Sequence, residues 1–281
     1  GLVAMAGALA EYFGAIEGAS LEANKGAYSY AWMIIFAVIA AIMVLIGLYH
    51  IRMLPSNQIP STTKKTTSEV GRELVAVIAN FFTKKHIFYY ICFIILYRLA
   101  EGFIMKIAPL FLRASREVGG LGLSLKEIGT LNGVFGSAAF VLGSLLAGIY
   151  VSKFGLKRTL FTLCCIFNLP FLAYTFLAVT QPTNVYLIGT CITMEYFGYG
   201  FGFVGLTLFM MQQIAPGKHQ MSHYAFASGI MNLGVMLPGM VSGYFSDLLG
   251  YRNFFIYVLI ATIPAFLITY FIPFTYDDSK K

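Results

Sequence analysis

The stretch that most constrains this chain is residues 87–112, IFYYICFIILYRLAEGFIMKIAPLFL. It is long enough to cross a bilayer, because about 20 apolar residues span a hydrocarbon core of about 30 Å. It nevertheless carries Arg98, Glu101 and Lys106 near its middle. A charge at that depth costs at least about 2 kcal/mol, so such residues face a partner or a watery cavity. The stretch therefore predicts a membrane helix with a functional interior.

Composition places the whole chain in the same class. Hydrophobic residues make up 58% of the 281 residues and charged residues only 11%, and the mean hydropathy is +0.77. A water-soluble protein of this length needs more charge on its surface. Apolar runs of about 20 residues recur, whereas outer-membrane strands alternate over segments of about ten. We predict an all-α integral membrane protein, a helical bundle in contact with lipid.

The charged residues and the cysteines argue against other kinds of site. The net charge is +7, but the basic residues fall in short loops between spans, which indicates topology signals and not a nucleic-acid surface. The cysteines lie inside apolar runs, without the paired spacing of zinc sites or the loop positions of a disulfide framework. They are Cys92, Cys164, Cys165 and Cys191. We expect packing roles for them, and neither a metal nor a cofactor.

An intramembrane enzyme is a competing class. Its nucleophile and base should meet at one depth, yet His50, His86, His219 and His223 all lie at or near span ends. Neither a His-Glu-x-x-His nor a Gly-x-Ser-x-Gly motif occurs. We therefore do not expect an enzyme.

A polar linker divides the chain into two units. Residues 1–49 hold the tail of a helix whose beginning is missing and one complete span, 30–48. We therefore expect the chain to be a fragment of a longer protein. Residues 50–86 contain Pro55, Pro60 and the run STTKKTTSE, a composition typical of a linker.

The second half of this linker predicts a helix. Residues 69–82 place Leu74, Ile78 and Phe81 at i, i+4 and i+7, beside charged positions. This spacing suits an amphipathic helix that lies at the membrane surface. A plain connecting helix and a regulatory site remain as alternatives.

Six further spans follow the linker within residues 87–275, and residues 276–281 form a short polar tail. Asn168 and Pro170 interrupt the third of these spans, where we expect a kink. Six spans after a linker suggest the second half of a transporter built from two six-helix halves, with the missing first half as its partner. The predicted spans are 87–112, 125–151, 160–179, 185–211, 224–245 and 254–274.

The distribution of Lys and Arg predicts the orientation. More of them lie on the side that holds the linker, the turn at 152–158 and the C-terminal tail than in the opposite loops. The positive-inside rule therefore places the linker and the C-terminus in the cytoplasm.

A short basic turn gives the first resemblance to a known family. The segment 148–158, GIYVSKFGLKR, resembles the turn motif of the major facilitator superfamily, although Ser152 stands where the family has an acidic residue. A basic turn that only enforces topology is the alternative. The matching positions are Gly148, Lys153, Gly155, Lys157 and Arg158.

Further patterns are spread over nearly the whole chain. They are Tyr97-Arg98-Leu99 with an acidic residue soon after, Leu131-Asn132-Gly133, Glu195 before Gly198, and Gly243-Tyr-Phe-Ser-Asp247 followed by Gly250-Tyr-Arg252. Together they resemble the muropeptide permease (AmpG-like) branch of that superfamily, to which the acetyl-coenzyme A transporters are similar. The opening GLVAMAGALAE resembles the end of its fifth helix, which would make residues 30–48 the sixth helix and the later spans helices 7–12.

The resemblance implies a function. It implies a proton-driven importer of N-acetylglucosaminyl anhydro-N-acetylmuramic acid and its peptides, in the bacterial inner membrane, active in peptidoglycan recycling. Acetyl-coenzyme A or another small organic anion is the alternative substrate. A membrane assembly subunit that transports nothing is the alternative class.

The candidate mechanism rests on Arg98 and Glu101. Three residues apart on a helix, they share a face and can form an ion pair. The planar guanidinium of Arg98 matches a substrate carboxylate, and an anion that competes for Arg98 would favour protonation of Glu101. We therefore assign substrate recognition to Arg98 and a proton-carrying role to Glu101. A permanent pair that only fixes helix packing is the alternative.

Other polar residues within the spans are secondary candidates. Glu195 could be a second proton site, a partner for Arg98 or Lys106, or a protonated carboxyl bonded to backbone. Lys106 could bind substrate or extend towards the membrane surface. Asn132, Asn168 and Asn232 could bond sugar hydroxyls or brace another helix, and Tyr196 opens an aromatic-glycine run that could stack on sugar rings or pack closely through Gly198 and Gly202.

Overall fold

The structure, a computed structural model, describes residues 2–16, 23–53 and 67–276, and every regular element within those ranges is helical. Most of the proline-containing part of the predicted linker, 54–66, and tail residues 277–281 lie outside the described residues. The α-helices are α1 Leu2–Tyr12, α2 Lys25–Met53, α3 Thr67–Phe82, α4 Ile87–Tyr97, α5 Leu99–Arg113, α6 Leu125–Thr130, α7 Ser137–Phe154, α8 Leu156–Asn168, α9 Phe171–Thr180, α10 Val185–Phe209, α11 Gln220–Ala261 and α12 Ile263–Phe271. The π-helical turns Leu131–Gly136 and Met210–Ile214 join α6 to α7 and extend α10, and Arg116–Val118 is a 3₁₀ turn.

Several helical segments of the described residues are long and apolar enough to cross a membrane. They are Lys25–Met53, Ile87–Arg113, Leu125–Phe154, Leu156–Thr180 and Gln220–Phe271. The last is 52 residues long, about twice the length of one crossing. Gly250, with φ 69°, divides it, because its left-handed backbone interrupts α11. The chain is thus an all-α, multi-pass membrane protein, and the predicted fold class is confirmed.

The membrane helices are interrupted at several positions, and the sequence predicts some of these breaks but not others. The expected break near Pro170 is present: α8 ends at Asn168 and α9 begins at Phe171. The span predicted for 87–112 is present as Ile87–Arg113, but Arg98, with φ −103° and ψ 6°, separates α4 from α5 within it. Thr262 likewise separates α11 from α12 in the last span.

Helix α10 packs against α7 and α8. Glycines permit this close approach. A Cβ on Gly200 would lie 2.1 Å from the carbonyl oxygen of Phe140 in α7, and one on Gly202 would lie 2.3 Å from Cβ of Phe167 in α8. No side chain larger than hydrogen fits at these positions, so the predicted close packing through Gly198 and Gly202 is confirmed.

Helix α3 forms where the amphipathic pattern predicts it, and part of its apolar face packs against the protein. Val77 and Phe81 are buried, whereas Leu74 and Ile78 are exposed. Of the predicted apolar positions Leu74, Ile78 and Phe81, only Phe81 packs against the protein. Val77 and Phe81, which are four residues apart, contact the first turns of α11 at His223 and Phe226.

The connections at the two ends of the bundle are held by backbone-directed hydrogen bonds. At one end, Lys84 Nζ donates to the carbonyl oxygens of Ile214 and Pro216, the latter at 2.7 Å. At the other, the Arg116 guanidinium donates to the carbonyls of Gln181 and Pro182 at 2.8 and 2.9 Å. These bonds join loops distant in sequence and fix the ends of the membrane helices.

Candidate functional site

The predicted ion pair between Arg98 and Glu101 is present. Arg98 Nε donates to Glu101 Oε2 at 2.6 Å, and Nη2 donates to Oε1 at 2.5 Å, a two-pronged geometry that matches the planar guanidinium to the carboxylate. Arg98 is 5% exposed and Glu101 is 6% exposed. The pair forms at the junction of α4 and α5, where the break at Arg98 lets its side chain turn towards the next helix.

Aromatic rings of α10 surround this pair. The guanidinium carbon of Arg98 lies 5.4 Å from the ring centroid of Phe203, a cation–π contact. The Tyr199 side chain neighbours both Arg98 and Glu101. One residue before the pair, the Tyr97 hydroxyl donates to the Gly202 carbonyl at 2.9 Å. The junction of α4 and α5 is thus fixed against α10.

Tyr199 and Phe203 are not among the site residues predicted from the sequence. Glu195, Tyr199 and Phe203 are spaced by four residues, so they follow one face of α10. Tyr199 is held by rings from two other helices, Phe140 at 5.2 Å and Phe167 at 6.0 Å between centroids. The periodicity therefore carried the signal that these side chains belong with Glu195.

Glu195 is half-buried and makes no hydrogen bond or ion pair with any residue that the structure describes. Its carboxyl group lies close enough to Glu101 for their charges to interact. In this structure Glu195 pairs with neither Arg98, which binds Glu101, nor Lys106. Lys106 is exposed, and its side chain runs past Gly239 of α11.

Asn132 and Tyr196 lie where α7 meets α10. Asn132 sits in the π-helical turn, and its Oδ1 is buried without a hydrogen-bond partner among the described residues. The Tyr196 ring covers Gly136, where a Cβ would come within 2.9 Å of it. Asn132 precedes Gly136 by about one helical turn, so the two residues lie on the same face of this segment.

The remaining asparagine candidates are bonded within their own helices. Asn232 is exposed on α11 and donates to the Ser228 carbonyl at 3.0 Å. Asn168 donates to the Cys164 carbonyl at 3.0 Å at the end of α8. The structure therefore places Asn232 and Lys106 on the exposed α5–α11 face, apart from the Arg98 cluster.

The basic turn between α7 and α8 is exposed at each of its cationic positions, Lys153, Lys157 and Arg158. Gly155 has φ 77°, a conformation that favours glycine and allows the chain to reverse between the two helices. Ser152, at the position of the missing acidic residue, donates back to the Ile149 carbonyl at 2.8 Å.

An apolar groove of about 890 Å³ lies between the α6–α7 segment and α10. Its walls are largely hydrocarbon, with Lys126 and Glu127 at one end. Within the described ranges, no group of three His, Cys, Asp or Glu side chains could hold a metal ion. Arg98, Glu101 and Glu195 are thus the ionisable residues of the described spans that we consider as candidates for a transport mechanism.

An all-α multi-pass bundle with ionisable side chains buried between its helices defines a membrane protein of the transporter class, in which such residues mark substrate and ion pathways. The chain belongs to the Major Facilitator Superfamily, whose family model matches residues 1–216. Membership of this superfamily places it among transporters and not enzymes.

Individual relatives point to one branch. The chain is 23% identical over 209 residues to the "Anhydromuropeptide permease" of Escherichia coli (strain K12), covering 74% of this chain and 41% of that protein. It is 25% identical over 238 residues to "Putative transporter AmpG 1" of Rickettsia bellii (strain RML369-C), covering 83% and 56%. The chain thus spans about half the length of the curated relatives it matches.

Proposed function

We propose that this chain forms part of a secondary transporter that imports cell-wall-derived anhydromuropeptides, with protons, across the bacterial inner membrane. The observation that carries the proton coupling is the pairing of Arg98 with Glu101 next to a second carboxyl, Glu195, that has no partner among the described residues. The sequence resemblance and the printed names of the relatives support the substrate class.

In the proposed mechanism the ion pair opens during transport. A carboxylate of the substrate binds the Arg98 guanidinium, which offers the same two-pronged geometry that Glu101 now occupies. Glu101, separated from its cation in a poorly solvated site, then takes a proton. Glu195 then exchanges that proton with the opposite side, because the charges of the two carboxyl groups interact and a shared proton relieves their repulsion.

Asn132 and Tyr196 provide the proposed sugar contacts. The Asn132 amide oxygen is buried with no bond to any described residue, so a ligand hydroxyl group that reached it would supply the hydrogen bond it lacks. Lys106 and Asn232 would contact a distal, anionic part of the substrate from the exposed α5–α11 face, and the basic turn with Gly148 would support topology.

Uptake of labelled N-acetylglucosaminyl anhydro-N-acetylmuramic acid by vesicles tests this function. The full-length transporter is compared with Glu101→Gln and Glu195→Gln, with and without an inward proton gradient, and uptake is normalised to folded, inserted protein. We expect gradient-driven uptake that falls at least about tenfold in both variants. Glu117→Gln, which removes an exposed loop carboxylate, serves as the control and should transport normally. Absence of uptake by folded wild-type protein, with transport of acetyl-coenzyme A instead, would overturn the substrate assignment.

We also propose that the linker and the C-terminus are cytoplasmic, on the basis of the Lys and Arg distribution. Single cysteines at Ser152 in the basic turn and at Glu117 in an opposite loop test this orientation, since both positions are exposed. In intact cells an impermeant maleimide should label position 117 and not position 152. The reverse pattern would show the opposite orientation.

A further inference from the structure

Helix α3 carries two adjacent apolar stripes, of which the protein covers only one. Val77 and Phe81 are 7% and 1% exposed. The second stripe is exposed, with Val75 at 65% and Phe82 at 58%. This uncovered stripe consists of Leu74, Val75, Ile78 and Phe82. Because successive residues of a helix are about 100° apart, these side chains cover an arc roughly 100° wide, which begins next to Val77 and Phe81.

The covered stripe fixes α3 against α11. The Phe81 ring lies 5.7 Å from both the His223 and Phe226 rings, measured between centroids. His223 Nε2 is 3.3 Å from the Val77 carbonyl oxygen. Beyond the end of α3, Lys84 binds the carbonyls that follow α10. The helix therefore cannot roll freely to bury its second stripe.

These contacts also set the depth of α3 relative to the membrane. They involve the first turns of α11, and α4 begins at Ile87, only five residues after Phe82. His86, with φ 61°, turns the chain between α3 and α4. Since both membrane helices begin here, α3 lies at the level of the helix ends, where lipid headgroups meet acyl chains.

We propose that the uncovered stripe of α3 is a lipid-binding surface inserted into the bilayer interface, with a preference for anionic phospholipids. Apolar residues on one face of a helix at this depth insert into the headgroup–acyl boundary. Arg72 borders the stripe on its far edge and Lys85 follows the helix, and both are exposed. Glu69 and Glu73 lie on the opposite face by helical spacing. Basic residues beside the stripe favour anionic headgroups.

Photocrosslinking in the full-length protein tests this surface. p-Benzoylphenylalanine is placed at position 82 or 75 of the uncovered stripe, in vesicles of phosphatidylcholine and phosphatidylglycerol, and adducts are identified by mass spectrometry. We expect lipid adducts at 82 and 75. Position 76, on the polar side of α3, is the control that should give no lipid adduct. Position 81 should give adducts with α11 only, which verifies that the native packing is retained.

Two outcomes would overturn the proposal. A protein adduct at position 82 would show that another polypeptide segment covers the stripe, and absence of any adduct at 82 and 75 would show that it faces water. For the anionic preference, we expect phosphatidylglycerol adducts at least about twofold over its share of the lipid. That excess should vanish in Arg72→Gln/Lys85→Gln, and an unchanged ratio would refute the preference. These results do not depend on what the protein transports.

Discussion

At the scale of single residues, the buried pair of Arg98 and Glu101 is the feature with the largest energetic consequence. Two charges withdrawn from water need excellent mutual geometry, which the two short hydrogen bonds provide. The neighbouring Phe203 ring adds a favourable surface for the guanidinium. Removal of one partner therefore leaves a charge that nothing compensates.

We expect Glu101→Gln to lower the free energy of unfolding by about 3 to 5 kcal/mol, because Arg98 would remain charged and buried. The double variant Arg98→Met/Glu101→Leu should recover most of this loss, since it removes both charges and keeps apolar volume. Equilibrium unfolding of the purified protein in mixed detergent micelles provides the measurement. A double variant that is less stable than Glu101→Gln would contradict the interpretation.

Lys84 offers a residue-scale prediction outside the membrane. Lys84→Met should cost about 1 kcal/mol, because the carbonyls of Ile214 and Pro216 lose their donor. Lys85→Met, at the exposed neighbouring position, is the matched control and should have little effect. Equal losses in the two variants would show that the hydrogen bonds of Lys84 contribute nothing specific.

The same lysine predicts a pH dependence. Burial lowers the pKa of Lys84 below its ordinary value of 10.5. Between the lowered pKa and 10.5 the unfolded chain holds a proton that the folded chain has lost, so the free energy of unfolding rises as pH rises through that window. This rise should be absent in Lys84→Met when stability is measured across alkaline pH. A rise of the same size in the variant would rule out Lys84 as its source.

The local part of the candidate site could be predicted from the sequence. The spacing of three between Arg98 and Glu101 predicts their pairing from helix geometry, and the pair forms even though Arg98 lies at the break between α4 and α5. The isolation of Glu195 could not be predicted, since it depends on which helices pack around α10. Tyr199 and Phe203 fall between these cases: periodicity places them with Glu195, but only the fold brings them to Arg98.

At the scale of elements, some helix breaks and helix faces are determined by the local sequence, whereas others depend on the packing of distant helices. Pro170 breaks a helix for a chemical reason that is visible in the sequence. No residue of the segment Tyr97-Arg98-Leu99 is a helix breaker, and the break there accompanies contacts with α10. In α3 the pattern specified an apolar arc, but tertiary contacts decided that Val77 and Phe81 would be its buried part.

Glycine substitutions test the packing of α7 on α10. Gly200→Ala should destabilise the protein by about 1 to 3 kcal/mol, because its Cβ would overlap the Phe140 carbonyl and force the helices apart. Gly148→Ala, with nothing within 4 Å of its Cβ, should be neutral or stabilising by up to about 1 kcal/mol. Thermal unfolding in detergent compares the two variants. Similar melting temperatures for both would show that α7 and α10 are not closely packed at Gly200.

At the scale of the whole molecule, α10 connects the parts that transport would have to move. It packs on α7 and α8, presents Glu195, Tyr199 and Phe203 along one face, and ends at the carbonyls that bind Lys84. Gln213, just beyond it, accepts from the Thr275 and Tyr276 backbone N–H groups at 2.9 and 3.0 Å. A displacement of α10 would therefore affect the charged site and the linker together.

This arrangement predicts that Glu195→Gln separates substrate exchange from accumulation. A glutamine resembles a permanently protonated carboxyl, so the variant should still exchange internal for external substrate at a rate within about threefold of wild type. Under the proposed proton coupling, net accumulation requires release of the proton, and it should fall at least about tenfold. Both rates can be measured in the same proteoliposomes, by counterflow with equal pH on both sides and by uptake under an imposed gradient. Loss of both activities in folded protein would assign Glu195 to substrate binding, whereas retention of both would exclude it from proton coupling.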